Sequence, residues 1–400
     1  MKNNTERTEK KICLCMIVKN ESAIIERCLN SAKPIIDYVS ICDTGSSDNT
    51  VELIEAWCSE NGVPGTLHFA PFKNFGYNRT LAVKLAQQTY PEADYLLLLD
   101  ADMLLEVAPR FDTSVLEKDQ YLTMQYNSQI KFWLPRLLKT SLPWHSVGVT
   151  HEYWDIDCSR LEDQTYVVTS AKLDGLPIFD HEDGGSRQDK FERDKRLLLL
   201  GHADPTTPDD LKMRYKFYLA QTYNCLDELE EAIKWYKLRV EAGGWAEEVY
   251  YSFLQIGFCY ERLAIRAAQE NRGEEAEDQY IAMALLFFQK AWEYRPVRAE
   301  SLYQLARILR EKGHYQLGLM YALKGKEIPF PKEDLLFVDY HVYDYLFDYE
   351  ISICAYYIAQ KVELGRKAQK RLMNKINQLP EPIAAAVRNN EKYYNNSKKT

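Results

Sequence analysis

Between Ile12 and Leu99 this chain alternates short apolar runs with segments whose apolar residues recur every three or four positions. Residues 12–18, 38–42 and 95–99 are too short for typical helices and lack the polar face of a half-wet strand, so they read as strands buried on both sides. Residues 66–69 form a further short strand. Helical spacing falls between them: 21–32 with Ile24, Ile25, Cys28 and Leu29 on one face, 50–61 with Val51, Leu53, Ile54 and Trp57, and 78–88. Strands alternating with helices of this length predict a mostly parallel, layered α/β sheet.

Past residue 120 the pattern changes. Residues 121–126, 131–138 and 165–173 are β-like and predict an antiparallel extension of the sheet. From about Asp209 the chain is helical and repeats, with the large–small–aromatic, then Ala–bulky–Ala–Pro offsets of tetratricopeptide units. Leu219, Ala220, Tyr223, Ala232 and Tyr236 fit one unit. Ile256, Gly257 and Tyr260 open a second, which resumes at Ala284, Phe288, Ala291 and Pro296 after an insertion that contains residues 270–277. Leu305, Ala306, Leu309, Gly318, Ala322 and Gly325 form a third, and Ala368 and Leu372 mark a weaker fourth. Each such helix pair buries its apolar face only against a neighbour, so the units stack. The expected division is a disordered N-terminus at 1–9, an α/β domain at 10–205, a tetratricopeptide-like helical domain at 206–385 and a flexible tail at 386–400.

The 400 residues carry a net charge of −9, which argues against a nucleic-acid partner. Nine cysteines with no CxxC pair read as buried thiols of a reducing compartment. The polar first residues and the lack of a run of 18 apolar residues predict neither a signal peptide nor a transmembrane segment, hence a cytoplasmic protein.

Polar residues gather where the apolar runs end. Asp100-Ala101-Asp102 follows four leucines, at a strand end where side chains meet a ligand crevice. Two hard carboxylates suit Mn²⁺ or Mg²⁺, although Asp is also an ordinary turn residue. Asp43 and Gly45-Ser46-Ser47-Asp48 end another strand and open a helix, where they serve as caps or as nucleotide contacts. Val18-Lys19-Asn20-Glu21-Ser22 ends the first strand, and Asn78-Arg79 begins a helix. His181 lies in a polar stretch, with Ser186, Arg187 and Lys190 beyond it. Trp133, Trp144, Tyr153 and Trp154 offer faces on which a sugar stacks, or core.

Taken in order, Ile17-Val18-Lys19-Asn20-Glu21, Asp43 to Thr50, Tyr77-Asn78-Arg79, Asp100-Ala101-Asp102, Val149-Thr150-His151-Glu152 and Ile178-Phe179-Asp180-His181 resemble family 2 glycosyltransferases with the GT-A fold. Phe217 to Tyr223 is similar to the first repeat of a branch with C-terminal tetratricopeptide repeats, which includes enzymes that glycosylate bacteriocin peptides on cysteine. The resemblance implies an α/β GT-A (Rossmann-like mixed sheet) domain followed by an all-α tetratricopeptide-like domain. It implies an inverting transfer from a nucleotide-sugar, a UDP-hexose, to a peptide, protein or glycan held by the repeats. The donor would be held by Val18, Asn20, Glu21, Asp43, Ser46, Asn78, Arg79, Asp100, Ala101 and Lys190. Asp102, His181 and Asp100 would hold the metal. The family places an Asp of a Glu-Asp motif as base; this chain has His151-Glu152 there, making Glu152 the candidate, with a supporting role as its rival. A non-catalytic scaffold with a degenerate nucleotide-sugar site is the alternative for the whole chain. Nucleotidyl transfer is disfavoured because the segment directly after the first strand, Lys19-Asn20-Glu21, has no glycine to form a phosphate-binding loop.

Overall fold

The computed structural model describes residues 9–127, 131–184 and 189–396. Two compact units divide the chain, Met1–Pro205 and Thr206–Thr400.

The first unit begins as the apolar pattern requires: β1 (Ile12–Val18), α1 (Ile25–Ala32), β2 (Tyr38–Asp43), α2 (Thr50–Asn61), β3 (Gly65–Phe69), α3 (Phe75–Thr89) and β4 (Tyr95–Leu98). Alternate residues of β1 enter opposite cores, which is why the run has no polar face. Ile12, Leu14, Met16 and Val18 pack with Ile25, Leu29, Ile54 and Trp57. Cys13 and Cys15 pack with Ala82, Val83 and Ala86 of α3. Then follow β5 (Met103–Leu105), β6 (Gln120–Tyr126), β7 (Lys131–Lys139), β8 (Trp144–Val147), β9 (Tyr153–Ile156), β10 (Ser170–Lys172), β11 (Ile178–Asp180) and α4 (Lys190–Ala203).

The sheet runs β3-β2-β1-β4-β7-β6-β11-β5, with β10 joined to β6 and a separate β8–β9 hairpin. The first four strands are parallel. The pairs β4–β7, β7–β6 and β11–β5 are antiparallel. This is the mixed α/β sheet that the resemblance implied.

Several expectations need correction. The first helix starts at Ile25 instead of residue 21, because Asn20 takes a left-handed φ of 56° and the chain turns before winding. Of residues 165–173 only Ser170–Lys172 are strand, and they pair with β6 in parallel, as does β11, so the extension is not wholly antiparallel. Cys225, expected to be buried, is exposed at the end of a helix. No disulfide forms among the described residues.

The second unit is a series of helical hairpins: α5 (Asp209–Cys225) with α6 (Leu229–Ala242), α7 (Ala246–Gln269) with α8 (Glu274–Tyr294), α9 (Glu300–Glu311) with α10 (Tyr315–Lys326), and α11 (Phe347–Tyr356) with α12 (Val362–Asn374). The stretch 270–277 is not a separate element: residues 270–273 make the turn between α7 and α8, and 274–277 open α8. Small residues set the spacing between helices. A Cβ on Gly257 would lie 2.5 Å from the Phe288 ring. Residues 386–396 of the expected tail are instead part of α13 (Glu381–Asn396), because Ala384, Val387 and Tyr394 are buried in the packing of this unit, and residues 397–400 lie outside the described residues. Among the described residues no helix is long and apolar enough to cross a membrane.

Candidate active site

The loops that leave β1 and β2 are stitched side by side. The Asn20 N–H donates to Ser46 Oγ (2.9 Å), and the Ser47 N–H donates to Asn20 Oδ1 (2.7 Å). The Glu21 N–H donates to Thr50 Oγ1 (2.8 Å), and the Ser22 N–H donates to Asp48 Oδ2 (3.1 Å). Partial burial pushes the Asp48 carboxyl up, but hydrogen bonds from Thr50 and Ser22 outweigh it and bring it down to about 2.

These loops border a cavity of about 550 Å³. Ile17, Val18, Lys19, Asn20, Glu21 and Thr44 come from the β1 and β2 ends, and Asp100 to Met103 from the β4 end. Phe72, Phe75 and Arg79 come from the α3 side, Asp180 from the end of β11, Gly184 from the segment after it, and Asp189, Lys190, Arg193 and Arg196 from α4 and its start. Strand ends remote in sequence thus meet where a parallel sheet offers its crevice.

Arg79 is the hinge of the site's electrostatics. One Nη donates to Asp100 Oδ1 (2.7 Å), and its Nε lies 2.6 Å from Glu152 Oε1. Arg136 sits 3.6 Å from the other Asp100 oxygen and donates to Gln125, which donates to Asp180 Oδ2 (2.9 Å). Burial opposes ionisation of Asp100, yet Arg79 and Arg136 hold it below the usual carboxylate range. Burial also disfavours charge on Arg79, and its two carboxylates more than reverse that. For Arg136 burial wins, and its pKa falls below the ordinary guanidinium value.

Asp102 occupies a different environment. The His181 N–H donates to the Asp102 carbonyl (3.1 Å), extending the β5–β11 ladder so that the two residues stand opposite each other. A Cβ on Gly184 would come within 3.1 Å of Asp102 Oδ2. Arg27 of α1 clasps Asp183 through two hydrogen bonds of 2.6 and 2.8 Å, fastening the 181–184 segment around Asp102. Cross-strand pairing puts two metal-capable side chains on one face of a ladder. Among the described residues no third His, Cys, Asp or Glu joins them closely enough to complete a metal site from protein alone. A carboxylate and an imidazole with open positions suit a hard divalent ion whose remaining ligands are phosphate oxygens and water.

The structure sorts the sequence expectations. Val18, Asn20, Glu21, Arg79, Asp100, Ala101, Asp102 and Lys190 all line the cavity. Asn78 does not: it is fully buried, accepting from the Lys73 N–H (2.9 Å) and donating to the Pro71 carbonyl (3.2 Å), so it braces the loop ahead of α3. Thr44, not Asp43 or Ser46, reaches the cavity lining. Asp43 Oδ1 accepts the Gly45 and Ser46 N–H groups, while its buried Oδ2 has no hydrogen-bond partner. Asp100 lies between two arginines, Arg79 and Arg136. Glu152 is paired with Arg79 and lies outside the lining, so its geometry here is that of a support for Arg79. His181 is exposed, with its ring edge-on to Phe179 at 4.7 Å. Trp144 is core: its indole N–H donates to the Lys139 carbonyl (2.9 Å). Ser186 and Arg187 lie outside the described residues.

Sequence reasoning missed Phe72, Phe75, Arg193 and Arg196. The spacing Lys190, Arg193, Arg196 follows one helical face and was the available signal.

Residues 13–118 match the sequence model of glycosyl transferase family 2. The chain is 35% identical over 98 residues to an uncharacterized glycosyltransferase of Rickettsia bellii, covering 24% of this chain and 30% of that one. It is 36% identical over 91 residues to a TPR repeat-containing protein of Synechococcus elongatus, covering 23% and 20%. The matched stretches thus span less than a third of either relative. Among solved structures, S. aureus TarS 1-349 in complex with UDP is similar at 13% identity and a TM-score of 0.31, covering 70% of this chain and 91% of that one. BtubC from P. vanneervenii is similar at 14% identity and a TM-score of 0.30, covering 50% and 76%. The stretch that carries the parallel strands and the Asp100-Ala101-Asp102 triplet is a glycosyl transferase family 2 domain.

Proposed function

We propose that this protein is a metal-dependent, inverting glycosyltransferase that moves a sugar, a hexose carried on UDP, to a peptide, protein or glycan acceptor. The observation that carries the reading is the charge pattern of one cavity inside and beside the family 2 domain. Among the described lining residues, Lys19, Arg79, Lys190, Arg193 and Arg196 face Glu21, Asp100, Asp102, Asp180 and Asp189. Five cations balance five carboxylates. The diphosphate of a nucleotide-sugar, with two negative charges, would enter uncompensated, whereas one divalent ion restores neutrality.

Asp102 and His181 would hold that ion, as Mn²⁺ or Mg²⁺. When bound it supplies neutralisation of the diphosphate as it leaves. The chain's own groups do the rest. Asn20 would orient the uridine at the cavity wall, and Asp43, behind the lining, would set the loop around it through the Gly45 and Ser46 N–H groups. Lys190 at the start of α4 would meet the phosphates, where negative charge grows in the transition state. Glu152 is the candidate base; to act, it must exchange its hold on Arg79 for the acceptor proton. The hairpins of the second unit would hold the acceptor, and the bacteriocin-peptide branch makes a peptide cysteine the first acceptor to try.

The test is a panel of UDP- and GDP-sugars assayed for nucleotide release with Mn²⁺, with Mg²⁺ and with EDTA. The expected result is metal-dependent release from a UDP-hexose. Absence of release from every donor, with no thermal shift from UDP, favours the alternative of a non-catalytic scaffold. That alternative draws on one observation: both Asp100 and Glu152 are already engaged by Arg79.

A further inference from the structure

The first turns of α4 carry a pair of residues that the mechanism above leaves unused. Arg193 lines the cavity, and its guanidinium carbon lies 4.9 Å from the centre of the Phe75 ring. Phe75 lines the same cavity and is itself anchored, its N–H donating to the Val149 carbonyl (3.0 Å). Beside Arg193 is Asp194, whose carboxylate is 4% exposed and stands with Oδ1 3.5 Å from Arg193 Nε. That oxygen accepts no hydrogen bond.

A carboxylate buried with an unsatisfied oxygen is costly, and it persists where its charge acts on something. Here the cation in reach is the guanidinium of Arg193. The planar group lies against an aromatic face on one side and a buried negative charge on another, so few rotamers remain open to it. An arginine fixed in this way at a cavity wall is a preorganised receptor for phosphoryl oxygens, which match its fork of N–H groups. A lysine on a flexible stem, such as Lys190, offers charge without that geometry.

We propose that Arg193 binds the diphosphate of the nucleotide donor, and that Asp194 and Phe75 are positioning residues that act through it. This rests on the nucleotide-sugar reading of the cavity, and the test separates the two. The full-length chain, with Mg²⁺ present, is titrated calorimetrically with UDP and with uridine, which lacks the phosphates.

Wild type should bind UDP more tightly than uridine. Arg193→Gln should weaken UDP by about tenfold or more, the scale of one charge-assisted contact, and leave uridine unchanged. Asp194→Asn and Phe75→Leu should each weaken UDP by roughly three- to tenfold, again sparing uridine, because they loosen the arginine without removing it. In the Arg193→Gln background, Asp194→Asn should have no further effect on UDP. Arg193→Lys should recover part of the lost affinity, and unchanged uridine binding in each variant reports an intact fold. The proposal is overturned if Asp194→Asn weakens UDP as much with Arg193 absent as with it present, or if Arg193→Gln leaves the preference for UDP over uridine intact. Wild-type protein that binds neither molecule removes the nucleotide-sugar reading itself, and with it this assignment.

Discussion

Arg79 is shared by two carboxylates that belong to different parts of the chain, Asp100 after β4 and Glu152 before β9. Removing one partner of a buried ion pair strands the others, so Arg79→Ala should destabilise the first unit by about 3–5 kcal/mol in chemical denaturation and abolish turnover. Asp102 stands outside that network. Asp102→Asn should leave the melting temperature of the protein alone within a few degrees, yet remove the extra stabilisation that Mn²⁺ adds to UDP. Glu152→Gln separates two roles: loss of transfer with UDP affinity kept marks a base, and a parallel loss of UDP affinity marks a support for Arg79. Most of the expected residues that line the cavity were legible in the sequence, because polar side chains at the ends of buried runs have few other reasons to sit there. Asn78 was not, since an amide that braces a loop and one that binds a ligand look alike in a string of letters. Nor was the Asp100–Arg136 contact, which joins residues that nothing local in the sequence connects.

At the scale of elements, the loops after β1 and β2 form one unit because Asp48 holds the backbone of the first from within the second. Asp48→Ala removes hydrogen bonds from the N–H groups of Ser22 and Thr50, an expected cost of about 1–2 kcal/mol at neutral pH. The sign of its pH dependence follows from a carboxyl held down to about 2 in the folded state, below its ordinary 3.8. The stabilisation is complete above the unfolded value and fades as pH falls from about 4 towards 2. Denaturation curves of wild type and variant should therefore converge over that window. The parallel strands were readable from the alternation of runs, which fixes both period and length. The parallel attachment of β10 and β11 to β6 was not, because pairing of three-residue strands depends on partners distant in sequence and carries little local pattern. The α13 helix escaped for a related reason: its polar letters outnumber its few anchors, and Val387 and Tyr394 declare themselves only once the surface that buries them is known.

Across the whole chain, a family 2 domain that matches residues 13–118 is followed in sequence by a unit of helical hairpins whose repeats differ in length. Truncation after residue 380 would expose the surfaces that Val387 and Tyr394 cover, and the second unit should melt at a lower temperature than in the full chain, as followed by far-ultraviolet circular dichroism. Gly257→Ala should also cost about 1–3 kcal/mol, because Phe288 fills the space the methyl group would need. The same constraint recurs along the array. A Cβ on Gly325 would strike the Phe347 ring, and one on Gly365 would strike the Tyr394 hydroxyl, each at 2.1 Å. These glycines fix how far apart the helices stand but say nothing of how long they run. Sequence change in this half is thus free along the helix axes, where α7 and α8 run to 24 and 21 residues, and barred across them. Relatives of this chain should differ in the reach of their hairpins long before they differ in girth.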